Sequence, residues 1–103
     1  MTATVALESG CLRIRGEMSF ASVLALLEQT RPLLADGHGR LEIDLAEVSR
    51  VDSAGLALMI EWLRQAHHSQ RELCFLHLPA QLRAIAEASD LDEILPLAAA
   101  VAD

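Results

Sequence analysis

An α/β domain with a mixed sheet is the fold class this sequence predicts, and three observations point to it. Stretches of period-two apolar alternation interleave with stretches of helical period. The 103 residues are enough for one core and leave little for a second. About half the residues are apolar but only 3% are aromatic, so the core must be built from Leu, Ala, Val and Ile, which suits helices packed on a sheet. The predicted order is β-β-α-β-α-β-α-β in a single domain over residues 1–103, with right-handed crossovers giving locally parallel strands.

Each element has its own signal. Thr4 to Glu8 and Cys11 to Arg15 alternate apolar and polar residues around Ser9-Gly10, the pattern of a hairpin. A first helix is expected to open at Ser19 as its N-cap, with Phe20, Val23, Leu24, Leu27 and Leu34 near helical spacing and Pro32 as a kink or end. Asp36-Gly37-His38-Gly39 is loop chemistry. Leu41, Ile43 and Leu45 alternate with Arg40, Glu42 and Asp44 as a half-buried strand. The second helix runs from Ser53 to His67 or His68, a polar turn ends near Arg71, and Leu73 to Leu78 reads as a strand. Pro79 suits the first turn of a third helix, in which Leu82, Ile85 and Ala86 share a face before Ser89-Asp90 breaks the pattern. Ile94 to Leu97 reads as a last short strand, confined to a sheet edge by Pro96, with Ala98 to Asp103 as a short final helix.

Charge and composition exclude several functions. A formal net charge of -7, with no local cluster of basic residues, repels phosphate backbones and anionic headgroups, so neither nucleic acid nor a membrane surface is an expected partner. Met1 to Ser9 lacks a basic run followed by an apolar one, and no stretch of about 18 uncharged apolar residues occurs, so a cytoplasmic location without membrane insertion is expected. Cys11 and Cys74 are expected to be thiols. His67, His68, Cys74 and His77 fall in one window, but Cys74 and His77 should face opposite sides of a strand and the adjacent histidines diverge by about 100°. No metal site is expected. With no histidine near Ser53 in sequence and no GxxxxGK[ST] loop, neither catalysis nor a cofactor is expected.

The stretch from Leu41 to Ala66 is the most informative. A strand ending in Asp44-Leu45, a short connection, then Asp52-Ser53-Ala54-Gly55-Leu56 opening a helix resembles the signature of the STAS domain, the fold shared by sulfate-transporter tails and anti-sigma factor antagonists. Gly16-Glu17-Met18 and Leu78-Pro79 extend the resemblance over nearly the whole chain. It implies a domain that binds a partner protein. Short members of the family have two main uses. Some are anti-sigma factor antagonists whose motif serine is phosphorylated by a partner serine kinase. Others are the small cytoplasmic subunit of the Mla ABC transporter, which docks on the ATPase, and through it on a membrane permease, in the phospholipid transport that maintains outer-membrane lipid asymmetry. The wording GLALMIEWLRQA and SDLDEILPLAAA is more similar to the second, so the resemblance implies that use, peripheral to the inner membrane, with the antagonist as the alternative. One departure bears on the phosphorylation switch: Ser19 stands where family members often carry an acid.

Within the motif, Ser53 is expected to share the N-cap with Asp52, and a phosphate added to it would meet a favourable helix dipole. Glycine inside a helix costs roughly 1 kcal/mol against alanine, so something close to Gly55 needs the space, either the adjacent strand or a partner's backbone. Leu56, Met59, Ile60 and Leu63 follow the spacing of a core-facing stripe, which would turn Leu58 and Trp62 outward. The expected partner surface is therefore Asp52, Ser53, Ala54, Gly55, Leu58 and Trp62, with Trp62 as anchor. A module binding a small molecule or lipid would need an apolar cavity that periodicity does not reveal.

Overall fold

The computed structural model describes residues 3–36 and 39–91. They form β1 (Thr4–Glu8), β2 (Cys11–Met18), α1 (Val23–Ala35), β3 (Arg40–Val51), α2 (Ser53–His68), β4 (Glu72–Leu76) and α3 (Ala80–Ala88). The strand order is β1-β2-β3-β4, with β1 and β2 antiparallel and the remaining neighbours parallel. This is the predicted mixed sheet. The strand expected at Ile94 to Leu97 and the helix expected at Ala98 to Asp103 lie outside the described residues, as do Gly37 and His38 of the predicted loop.

The β1–β2 turn places Ser9 at φ 53° and Gly10 at φ 78°. Two successive left-handed residues match the twist of the flanking strands, which makes this a tight hairpin connection. Register then puts Leu12 beside Ile43, Leu41 beside Leu73 and Ile43 beside Phe75 on one sheet face, and all of these are buried. The other face carries Arg13, Glu42 and Asp44. Cys11 and Cys74 flank Glu42 in register and are free thiols. Two strand spacings, about 9.6 Å, exceed the reach of a disulfide. No helix among the described residues is long and apolar enough to cross a membrane.

Several elements depart from expectation. β3 continues to Val51, well past Leu45, because β2 breaks register twice and in doing so keeps Gly16–Met18 paired with Val48–Val51. β4 pairs only with Arg40–Asp44, so the extension of β3 has a neighbour strand on one side and loses the apolar alternation. β4 stops at Leu76, and His77 takes φ 58°. α1 begins at Val23 rather than near Ser19, since Ser19 to Ser22 form a turn in which the Ser19 carbonyl accepts from the Ser22 and Val23 amides. Pro32 lies inside α1, which runs on to Ala35. Arg71 fastens the end of that helix: its Nη1 donates to the carbonyls of Leu33 (2.9 Å) and Asp36 (3.1 Å).

The largest correction concerns α2. Leu58 and Trp62 were expected to face outward, yet Leu58 is 4% exposed and Trp62 is fully buried. Gly55, Met59, Trp62 and Ala66 form one buried line, whereas Ile60 and Leu63 are only half-buried. At about 100° per residue the true face is rotated by roughly 80° from the stripe of large aliphatics. A count of large apolar residues gives no weight to Gly55 and Ala66, the small side chains on that line. Trp62 stacks obliquely on Phe75, with ring centroids 6.3 Å apart, and its Nε1 donates to Thr30 Oγ1 of α1 at 2.8 Å. Thr30 Oγ1 in turn donates to the Leu26 carbonyl at 2.8 Å, so both polar groups are satisfied in the core.

On the opposite sheet face Asp44 is nearly buried and accepts from the Ala46 amide (2.9 Å) and from His77 Nδ1 (3.0 Å), with Arg13 at 3.7 Å. Burial works to raise its pKa, but the bonds from His77 and Ala46 and the charge of Arg13 outweigh it and hold the carboxyl below its ordinary value. Burial, with Asp44 and Glu42 adding to it, pushes the Cys11 thiol up.

Two expectations follow from these buried polar groups. Thr30→Val should cost about 1–3 kcal/mol by leaving the Trp62 N–H unpaired, measured by denaturant melts, with Thr30→Ser losing less. Because the Asp44 pKa is depressed by folding, its contribution is present above the ordinary carboxylate range and is lost as pH falls through the lower folded value. Asp44→Asn should flatten the acid limb of stability as pH falls from the ordinary carboxylate range downward, and an unchanged limb would assign that slope to other carboxylates.

Candidate functional site

β2 and β3 are parallel, so their carboxyl ends meet at one edge of the sheet, where the chain turns into α1 and α2. Asp52 organises this junction. Its Oδ1 accepts from the Ala54 amide at 2.8 Å and caps α2, while Oδ2 accepts from the Phe20 amide at 3.1 Å and so ties down the β2–α1 turn. The Asp52 amide donates to the Met18 carbonyl at 3.3 Å. Asp52 therefore caps the helix alone, contrary to the expectation that Ser53 shares the task, because a carboxylate has two oxygens to divide between two loops. Ser53 is left exposed as the first residue of α2, and its hydroxyl makes no hydrogen bond among the described residues. That hydroxyl stands at the positive end of a 16-residue helix.

Gly55 is buried. A Cβ on it would lie 2.6 Å from the Met18 carbonyl oxygen and 3.2 Å from Met18 Cβ. The neighbour that needs the space is thus the end of β2, and Gly55 is out of a partner's reach. Of the expected surface, Ser53 is exposed, Asp52 and Ala54 are partly so, and Gly55, Leu58 and Trp62 are interior.

Two residues were missed. Phe20 is 86% exposed and Leu24 is 74% exposed, although both were counted among the apolar residues near helical spacing in the first helix. Leu24 borders a groove of about 190 Å³ between α1 and α2, lined also by Val23, Leu27, Ala54 and Ala57, with Leu58 contributing from within. The exposed apolar surface beside the motif is thus supplied by the turn and first residues of α1. Ser22, like Ser19, is a good N-cap residue type, and starting the helix there would have freed Phe20. The side chain of Ser22 instead accepts from the Ser19 amide (3.0 Å) and donates to the Glu17 carbonyl (2.8 Å). Ser19, standing in the place of the family's acid, donates to Glu17 Oε1 at 2.9 Å, so a carboxylate does reach this loop from two residues upstream.

No group of three His, Cys, Asp or Glu side chains among the described residues is arranged to hold a metal ion. His77 is engaged with Asp44, and Cys74 is buried.

The family model described as "Mlab, STAS domain" matches residues 1–97, and the chain belongs to the STAS domain family. The anti-sigma-B factor antagonist of Staphylococcus aureus is 26% identical over 84 residues, covering 82% of this chain and 78% of that one. A solved anti-sigma factor antagonist from Mycobacterium paratuberculosis superposes with a TM-score of 0.75 at 22% identity, covering 92% of this chain and 82% of the other. The anti-sigma factor antagonist SpoIIAA, solved in its unphosphorylated form, gives a TM-score of 0.63 at 15% identity over 89% of this chain and 96% of its own. At these identities the structural likenesses establish the fold.

The Gly55 contact gives a sharp expectation. Alanine improves helix propensity by about 1 kcal/mol, but its Cβ would meet backbone, which yields less readily than a side chain. Gly55→Ala should therefore lower stability by a net amount on the order of 1–2 kcal/mol, whereas a stabilised variant in a denaturant melt would mean that the strand end moves freely.

Proposed function

We propose that this chain is a non-catalytic regulatory domain of the anti-sigma factor antagonist type, which binds a partner serine kinase through the Ser53 end and is switched by phosphorylation of Ser53. The observation that carries the reading is the unengaged Ser53 hydroxyl at the start of α2, close in the fold to the exposed Phe20 and Leu24. An apolar pair of this kind supplies contact area, and the hydroxyl supplies the control point. A phosphate there adds about two negative charges to the middle of the contact, in a chain already at a net charge of -7. The S. aureus relative is itself an anti-sigma-B factor antagonist.

A second reading is favoured by the name of the matching STAS family model, Mlab, which points to an Mla component. Under it the same surface docks on the ATPase of a phospholipid-transport ABC complex, the chain is held near the inner membrane through the permease, and no phosphate is needed. The wording of α2 supports this reading as well.

Intact mass of the protein purified from its own host, together with identification of what co-purifies, separates the two. The antagonist reading expects a species heavier by one phosphate that varies with growth condition, is lost in Ser53→Ala, and accompanies a serine kinase. Unmodified protein under every condition, co-purifying with an ABC ATPase, would establish the second. In either case Phe20→Glu should abolish partner capture while leaving the melt near the parent's, since the side chain is exposed. Retained capture would move the contact surface elsewhere.

A further inference from the structure

β1 lies at the edge of the sheet, and among the described residues no strand pairs with its outer side. Four of its five residues are exposed, whereas β4, the strand at the other edge, has Leu73, Cys74 and Phe75 buried. A strand edge is a row of unpaired amides and carbonyls, and monomeric proteins commonly blunt it with Lys, Pro, a bulge or a charge turned inward. Thr4-Val5-Ala6-Leu7-Glu8 has none of these: its pairing with β2 runs without a register shift, and its one charge, Glu8, stands at the end.

The register with β2 fixes how this edge can be extended. Val5 lies opposite Ile14 and Leu7 opposite Leu12, so both belong to the core face; Val5 is half-buried there, but Leu7 is 50% exposed. The two-residue turn makes Glu8 and Cys11 the hydrogen-bonded pair that closes the hairpin. By alternation Ala6 and Thr4 also bond toward β2, and Val5 and Leu7 direct their amides and carbonyls away from the sheet. On the opposite face Thr4 and Ala6 floor a shallow depression of about 250 Å³ bordered by Glu8, Arg13, Arg15 and Glu47, so short side chains lie along the middle of the edge.

We propose that β1 pairs with β1 of a second copy of this chain, antiparallel about a two-fold axis through Ala6, joining the two four-stranded sheets into one. In this register Val5 and Leu7 of one copy exchange backbone hydrogen bonds with Leu7 and Val5 of the other. Each exposed Leu7 comes to lie beside the second copy's Val5, an apolar cross-strand pair on the core face. On the outer face Thr4 meets the second copy's Glu8, and Arg15, next to Thr4 in register, comes within side-chain reach of that carboxylate as well as of its own Glu47. No like charges are opposed. A slip of two residues one way sets Val5 opposite Ser9, whose φ of 53° ends the ladder, and the other way loses the Leu7–Val5 contact. The axis reverses one sheet relative to the other, so the two Ser53 surfaces point in opposite directions and stay open. The dimer therefore stands whichever partner that surface binds.

An edge of five residues makes a small interface, so the dimer is reversible, with a dissociation constant on the order of 100 µM. The test is sedimentation equilibrium from about 10 µM to about 1 mM, with backbone amide exchange at both limits. Monomer should give way to dimer over this range, and exchange at Val5 and Leu7 should slow several-fold while the inward-bonded Ala6 amide changes less. Leu7→Lys, which places a charge opposite the second copy's Val5, should stay monomeric throughout with a melt close to the parent's, since Leu7 is half-exposed. Oxidation of Ala6→Cys should link two copies through the introduced thiol, because a non-hydrogen-bonded pair brings Cα atoms to about 4.5 Å, within reach of a disulfide. Peptide mapping distinguishes this link from any through Cys11 or Cys74. Thr4→Cys, whose two positions would lie about 14 Å apart, should not link. Monomer at every concentration, dimer retained by Leu7→Lys, or linkage of Thr4→Cys as readily as Ala6→Cys would each overturn the proposal.

Discussion

The close approach of α2 to the end of β2 is the contact on which the rest of the site depends. Gly55 lets the helix backbone reach the Met18 carbonyl, and Asp52 fastens the approach by bonding both to the helix start and to the Phe20 amide. A larger residue at Gly55 would push the helix outward, and loss of Asp52 would free the turn that presents Phe20. The Asp-Ser-Ala-Gly motif can therefore be understood in physical terms: an acid to join two loops, a small residue to allow the join, and between them a hydroxyl that the fold leaves unused. The carboxylate that holds the fold and the exposed hydroxyl occupy neighbouring positions on different side chains.

That division shapes the functional reading. A surface built from Ser53, Phe20 and Leu24 is held by the Asp52 carboxylate and the close approach of Gly55 to Met18, so its geometry does not rely on the side chains of Ser53, Phe20 and Leu24 themselves. Adding charge to Ser53 alters the face without weakening the cap, which belongs to Asp52. Such an arrangement suits a domain whose affinity is switched while its fold persists. The same rigidity would serve a permanent subunit equally well, which is why the modification state, more than the architecture, separates the two proposed uses.

The four described strands, their mixed sheet and the position of α2 were legible in the sequence because alternation and the motif spacing are local signals. The rotation of α2 was not. Periodicity weighs large aliphatics, whereas the orientation of this helix is set by Gly55 and Ala66, where small size permits contact, and by Trp62, whose N–H finds Thr30 on another helix. A threonine inside α1 gives no hint in sequence that it serves a distant indole. The start of α1 was misread for a related reason: Ser19 and Ser22 are equivalent as residue types, and the choice between them depends on bonds to Glu17 and on the Asp52 carboxylate, which accepts from Phe20 across 32 positions. Phe20, expected within the helix, lies instead in the turn before it and is the most exposed large apolar side chain described.

The burial of Trp62 also determines what light can report. The chain has one tryptophan and no tyrosine, so its near-ultraviolet absorption and intrinsic emission come from a single indole sealed between α1, α2 and β4. Emission from such a site follows the integrity of the interior and is blind to events on the Ser53 face. Fluorescence would register the collapse of this protein faithfully while a partner arrived and left without a trace.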